Sequence, residues 1–463
     1  MTFGPKCIAQ LADAFRLRID GEQVGNEHGV KTASPTERSV GMQVAKLQPM
    51  APNSGALFLS DSMSVTFTTD PLFYLRFPRE DAEALLAVGV EDAFVIQADG
   101  DIDWNGLRSW LKDKPDWVFG WIGYDARRAV EQFDKSSFKP GIMPVVCFIK
   151  PKHVARISGG NYTMEKGGWN ATWSEWLNPS EVDDAGQQTV NWQAGVSQAD
   201  YRKHAQDLME QIHLGNIYEA NYCIDFFAET SLNNPRDVWK RLYQKTKAPF
   251  AAYAECGPWH VLCASPERYL KRVGNTIVSQ PIKGTARRSA DAAEDLRLKQ
   301  ALATSRKEQA ENVMIVDLVR NDLSRYAVRG TVKVEELFGV HTFETVHHLI
   351  STIRCEVETS CDWVDLMKAS FPMGSMTGAP KLSAMKWIER NERVSRGVYS
   401  GALGYIEPSG DFDFNVVIRS IQYHADERLM QCHVGGAITA LCDLEEEYQE
   451  CMLKASAVLG VLR

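Results

Sequence analysis

The chain has 463 residues, 44% apolar and 24% charged, the balance of a globular protein with room for two or three domain-sized units. Its formal net charge of −9 disfavours nucleic acid and anionic membranes as partners. No apolar run approaches a membrane span, the first residues lack a signal-peptide pattern, and the ten cysteines form no CxxC pair, so a cytoplasmic protein with inert thiols is expected.

In chain order, strands are expected over 56–60 and 64–67, short helices over 81–88 and 104–112, and strands over 117–124, 144–149 and 154–157. A polar stretch with Gly167-Gly168, Asn178-Pro179 and Asp183-Asp184 follows. It divides the chain into an N-terminal region 1–165 that contributes strands to a shared core, a linker 166–195, and a catalytic domain 196–463. Ser197 can cap a helix whose apolar stripe is Tyr201, Ala205, Leu208 and Ile212, with Gly215 as its stop. The next strand, 217–227, sets Tyr218, Ala220, Tyr222, Ile224 and Phe226 on one face. Glu219, Asn221 and Asp225 on the other face mean a solvated sheet or a polar cavity, and taken alone they favour the solvated sheet.

A strand over 261–264 ends in Ser265-Pro-Glu-Arg. Glu267 there is either a turn residue paired with Arg268 or a general acid with a raised pKa. Residues 276–282 alternate as a strand that Pro281 must end or confine to an edge, and Lys283 follows beside Gly284, where the backbone can turn sharply. Taken alone, Lys283 is either a surface residue or one that reaches a ligand. A helix over 306–321 carries Glu308 and Glu311 on one face, and Glu447, Glu450 and Lys454 repeat the pattern near the end of the chain. These spacings suit solvated faces with an i,i+4 ion pair, or a hard-cation site shared by two helices. Gly374–Lys381 leads into a further helix, Arg419 ends an alternating stretch, and Gly435-Gly436 admits close approach to the backbone.

Six ordered motifs now resemble one family. Ser265-Pro-Glu-Arg, Pro281-Ile-Lys-Gly-Thr, Ala310-Glu-Asn-Val-Met-Ile-Val-Asp-Leu-Val-Arg-Asn-Asp, Val346-His-His-Leu, Gly374-Ser-Met-Thr-Gly-Ala-Pro-Lys and Glu447-Tyr-Gln-Glu-x-x-x-Lys are similar to the signature of the chorismate-utilising enzymes. The resemblance is strong over 197–463; upstream, Gly120-Trp-Ile-Gly-Tyr-Asp125 is the clearest match. It implies an α+β fold of two packed antiparallel sheets with helices outside and the active site in a cleft. It implies Mg²⁺ held by Glu311 and Glu450, with Glu308 and Glu447 behind them and Lys454 balancing the charge. Arg419 and Tyr399, with amides around Gly435 and Gly436, would hold the pyruvyl carboxylate of chorismate. His348 and Thr285 would lie near the ring, and Glu267 would protonate the departing C4 hydroxyl.

Two positions bear on the branch of the family. Water-adding members carry lysine where this chain has Glu219. Ammonia-adding members usually carry glutamine there, so Glu219 is a departure, read as a group that contacts ammonium or ammonia. Anthranilate-forming members have a small residue at the position of Lys283. A lysine points to the branch that aminates C4 toward para-aminobenzoate and folate, with Lys283 as nucleophile. Burial and nearby positive charge, from Mg²⁺ and Arg287, are expected to lower its pKa. No glutaminase motif is present, which implies a separate glutamine amidotransferase subunit as the source of ammonia. The alternatives are the anthranilate-forming branch and a non-catalytic scaffold that binds the amidotransferase.

Overall fold

Among the described residues, eleven and ten strands form two antiparallel sheets. The computed structural model describes residues 67, 69–78, 82–130, 141–179, 188–392 and 394–462. The first sheet runs Gly378–Ala379, Glu219–Glu229, Leu429–Thr439, Ser420–His424, Trp259–Ser265, Phe250–Cys256, Leu72–Arg76, Ala84–Val88, His153–Ser158, Asn161–Lys166, with Gln193–Ala194 also paired to Glu219–Glu229. The second runs Ile282–Arg287, Val346–Glu356, Thr276–Gln280, Arg268–Val273, Phe412–Val416, Ala402–Ile406, Val118–Ile122, Val146–Lys150, Asp92–Ile96, with Lys333–Thr342 along the other edge of Val346–Glu356.

Alternation along the strands separates three apolar layers. Phe73, Leu75, Phe119, Trp121, Ala252, Val261 and Leu403 pack between the sheets. Tyr74, Tyr222, Tyr253 and Ile421 face outward from the first sheet onto the helices Gln198–His213, Pro235–Thr246, Lys381–Asn391 and Leu444–Leu459. Val118, Phe148 and Phe414 face outward from the second onto Trp104–Asp113, Arg306–Ser324 and Trp363–Ser370. Strands from 72–166 enter both sheets. The segment expected to link the halves is itself packed, since Trp176 is buried and stacks on Tyr74 at 4.9 Å.

The helix at Gln198–His213 starts where Ser197 accepts from the Asp200 amide, and it buries Tyr201, Ala205, Leu208 and Ile212, as its spacing predicts. Three expectations are corrected. The helix expected over 81–88 is a strand, Ala84–Val88, with all five residues buried. Its Ala and Leu favour a helix locally, but the slot between Leu72–Arg76 and His153–Ser158 demands an extended chain. The polar face of Glu219–Glu229 is not solvated: Glu219, Asn221 and Asp225 are buried, whereas Tyr218 is exposed. Gly284 does not reverse the chain but forms a local bulge, because the strand resumes at Ile282 and continues to Arg287. The strands expected over 56–60 and 64–67 lie outside the described residues apart from Phe67.

Candidate active site

Two passages between the sheets assemble the site. Trp259–Ser265 of the first sheet leads through Glu267 into Arg268–Val273 of the second, and Phe412–Val416 of the second returns through Arg419 to Ser420–His424 of the first. They run side by side: the Ala264 amide donates to the Arg419 carbonyl at 3.2 Å and the Val416 amide to the Glu267 carbonyl at 3.0 Å. Arg419 has φ +53°, a left-handed conformation that a non-glycine residue keeps only where its surroundings impose it.

Arg268 leaves Glu267 alone and forks instead onto Asp413, at 2.9 and 3.0 Å. Glu267 is 4% exposed. Burial pushes its carboxyl up to about 7, against partial opposition from Ser375, the Ile282 amide and Lys283. A carboxylic acid still partly protonated at neutral pH is a competent proton donor.

Lys283 is aimed by a bulge. The register passes from Ile282 opposite Ile350 to Thr285 opposite His348, so one extra residue is accommodated, with Gly284 at φ +92°. A Cβ on Gly284 would come 2.9 Å from Glu308 Oε2. Lys283 Nζ donates to Glu219 Oε1 at 2.7 Å. Burial pulls the ammonium pKa down, but the carboxylates of Glu219, Glu311 and Glu267 outweigh burial and leave it raised. The expected lowering is therefore reversed in this structure: the amine is ringed by acids, and Arg287 points to solvent as an exposed residue.

The other expected residues surround this group. Thr285, itself exposed, has its Oγ1 2.9 Å from His348 Nδ1. Burial and then Arg419 push His348 down to about 4, so its ring is neutral at neutral pH. Tyr399 is buried, stacks on His433 at 5.4 Å and faces the Cys223 thiol. Gly435 and Gly436 lie opposite Cys223 and Tyr222 in register. A Cβ at Gly435 would lie 2.6 Å from Cys223 Sγ and 2.8 Å from the Tyr222 carbonyl, so glycine is needed there, whereas at Gly436 it would lie 3.1 Å from Glu447 Oε2, a tight contact with the end of a side chain. Lys454 Nζ bonds the Gly435 carbonyl at 3.0 Å and Glu450 at 2.6 Å.

The two acid pairs share Lys307, which feels the charges of Glu447, Glu311 and Glu308. Glu311 is 9% exposed and makes no ion pair or side-chain hydrogen bond to a described residue. Burial pushes it up to about 7, with Lys283 opposing and Glu219 and Glu308 assisting. Burial also raises Glu447, whose Oε1 accepts from Lys307 at 3.0 Å. Burial works to raise Glu450 too, but Lys454, Lys307 and Lys283 leave it lowered. Among the described residues no three His, Cys, Asp or Glu side chains close into a metal cage. Carboxylates on two helices that share Lys307 are nonetheless the kind of donor set Mg²⁺ takes, since it binds one or two carboxylates and completes its octahedron with water and substrate oxygens.

Residues 74–460 match the family described as chorismate binding enzyme. The chain belongs to that family. It is 34% identical over 357 residues to aminodeoxychorismate synthase component 1 of Escherichia coli, covering 74% of this chain and 76% of that protein. It is 42% identical over 265 residues to the aminodeoxychorismate synthase of Streptomyces griseus, covering 57% of this chain and 36% of that longer protein. Anthranilate synthase component I from Streptococcus pneumoniae superposes with a TM-score of 0.66 at 22% identity, covering 91% of this chain and 95% of that one, and so shares the fold.

In this chorismate-binding enzyme the sequence left several site residues unremarked. Lys307 could have been found, since it lies one turn before Glu311 on the same helix. Ser375 lies within the Gly374–Lys381 motif and reaches Glu267. Cys223, beneath Tyr399 and Gly435, carried no signal beyond its place on the strand of Glu219. No helix among the described residues is long and apolar enough to cross a membrane.

Proposed function

We infer that this chain is component I of an aminodeoxychorismate synthase, a cytoplasmic transferase that converts chorismate and ammonia to 4-amino-4-deoxychorismate for para-aminobenzoate and folate biosynthesis. Ammonia would come from a glutamine amidotransferase subunit. The observation that carries this reading is Lys283, half-buried among the charges of Glu219, Glu311 and Glu267 on a bulge that holds it beside an acid protonated near neutrality. Nucleophile and proton donor are thereby presented to one substrate.

Arg419 and Tyr399, with the Gly435 and Gly436 amides, would hold the pyruvyl carboxylate, and the neutral His348, steadied by Thr285, would border the ring. Glu311 and Glu450 would hold Mg²⁺, with Glu308 and Glu447 behind them and Lys454 limiting the excess negative charge. The cation would supply charge for the ring carboxylate. Lys283 gives its proton to Glu219, which already accepts from it at 2.7 Å, and attacks C2 while the ring double bonds shift and the C4 hydroxyl leaves as water with the Glu267 proton. Ammonia then attacks C4, the bonds shift back, and the amine of Lys283 departs. Glu219 would hold the ammonium form of Lys283 between turnovers and would contact the incoming ammonia.

The test is mass identification of the product made by the purified chain from chorismate, Mg²⁺ and ammonium. The expected product is 4-amino-4-deoxychorismate, with none formed when glutamine replaces ammonium. Anthranilate with released pyruvate would place the chain in the other aminating branch, and unconsumed chorismate would favour a scaffold.

A further inference from the structure

The Gly120–Asp125 motif has no part in the chemistry above, yet its last two residues reach the site through Arg396. The Arg396 guanidinium is 1% exposed and uses all five of its N–H donors. Nε and Nη2 donate to Glu392 at 2.8 and 2.6 Å, Nη1 to the Met376 carbonyl and the Ser400 hydroxyl at 2.7 and 3.1 Å, and Nη2 also to the Asn221 carbonyl at 2.8 Å. The Tyr124 ring lies 4.3 Å from the guanidinium carbon, a cation–π contact. Asp125 accepts from the Ser395 hydroxyl and, at 3.2 Å, from the Gly397 amide, while the Tyr124 amide donates to the Gly397 carbonyl at 2.8 Å.

Two walls of the site meet here. On one edge of Glu219–Glu229, Glu219 and Ala220 pair with Gly378–Ala379, and Phe226 and Phe227 pair with Gln193–Ala194. Between them, side chains stand in for a missing strand: Arg396 takes the Asn221 carbonyl at 2.8 Å and Glu392 takes the Cys223 amide at 2.9 Å. On the other wall the Tyr399 amide donates to the Arg396 carbonyl at 3.1 Å, and Ser400, bonded to the guanidinium, sits at φ +63°.

We propose that Arg396, braced by Tyr124 and Glu392, is a positioning residue that locks the strand carrying Glu219 and the loop carrying Tyr399 into one arrangement, so that the pocket for the substrate carboxylate is formed before substrate arrives. The proposal rests on the reading of Tyr399 as a carboxylate-binding residue. Lysine cannot substitute, because a single ammonium lacks the planar fork that serves four acceptor residues at once.

A buried ion pair can be replaced by apolar residues without loss of stability, which separates positioning from folding. The double variant Arg396→Met/Glu392→Met should melt at or above the temperature of Arg396→Met alone. Its KM for chorismate should nevertheless stay raised on the order of tenfold or more, because it supplies no donor to Asn221, Met376 or Ser400. Arg396→Lys should show the same rise in KM. Recovery of both melting temperature and wild-type KM in the double variant would mean that the pair serves folding alone and would overturn the proposal. If the double variant does not fold, Tyr124→Leu decides: it leaves both charges in place, and a wild-type KM there overturns the proposal equally. Tyr399→Phe in the otherwise native chain tests the underlying reading separately, since an unchanged KM in that variant overturns the assignment of Tyr399 whatever Arg396 does.

Discussion

Lys283 Nζ and Glu219 Oε1 are 2.7 Å apart, and the second carboxylate oxygen of Glu219 is buried without a hydrogen-bond partner among the described residues. The pair makes Lys283 harder to deprotonate, because each step toward neutral amine leaves a buried carboxylate uncompensated. Glu219→Gln removes that charge. The lysine pKa should fall, so the rising limb of the pH profile for chorismate turnover, with free ammonia held constant, should move to lower pH by about one pH unit or more. A limb that stays in place or moves to higher pH would show that Glu219 does not set the protonation of Lys283.

The cation site makes a separate prediction. Glu311 has its pKa pushed up to about 7 by burial, so below that pH it is increasingly protonated, and a bound cation must displace the proton. Mg²⁺ should therefore raise the melting temperature of the wild-type chain at pH 8 and do so less at pH 6. Glu311→Gln and Glu450→Gln should abolish turnover and blunt the Mg²⁺-dependent stabilisation. Full activity of either variant would sink the assignment.

The candidate site was legible in six ordered motifs that resemble one family; the residues alone left Lys283, Glu267 and the acid pairs open between surface and ligand-binding roles. Gly284 and Pro281 marked where the chain would depart from a regular strand, and Glu267 stood at a strand exit. The burial of Glu219 was not legible: an alternating strand reads the same whether its polar face meets water or a second sheet, and only the packing of the two sheets decides. The reversed pKa of Lys283 followed for the same reason, since its acidic neighbours come from Glu219, Glu267 and Glu311 on separate elements. Arg396 was missed because its bond to Asn221 spans 175 residues of sequence. The residues 81–88 misled because alanine and leucine favour helix on their own, and only the neighbouring strands impose extension.

The covalent role of Lys283 is tested directly. Lys283→Ala should lose any substrate adduct and most amination while chorismate and Mg²⁺ still bind. Lys283→Arg should do no better, because a guanidinium stays charged and cannot act as a nucleophile. If intact-mass measurement finds no adduct on the wild-type chain, and Lys283→Ala aminates at the wild-type rate, the lysine is a positioning charge only.

Glu267 links activity to stability in opposite directions. Its pKa rises from the ordinary 4.5 to about 7 on folding. A carboxyl with a raised folded pKa favours the folded state below about pH 4.5, and that advantage is lost as pH rises through about 7. Above pH 7 the folded chain holds a buried carboxylate at a cost on the order of 3 kcal/mol, since each tenfold change in proton affinity is worth about 1.4 kcal/mol. Glu267→Gln keeps the shape and removes the charge, so it should raise the melting temperature at pH 8 and confer little gain near pH 5. If Glu267 is the proton donor to the C4 hydroxyl, as proposed, the same change removes that proton, so turnover should fall by about 100-fold or more at every pH. For the wild type, the kcat limb governed by this acid should decline as pH rises through about 7, displaced only as far as bound substrate changes the surroundings of Glu267. A variant that is no more stable at pH 8 would contradict the buried, raised carboxyl. One that turns over normally would remove Glu267 from the chemistry even if the stability gain is found.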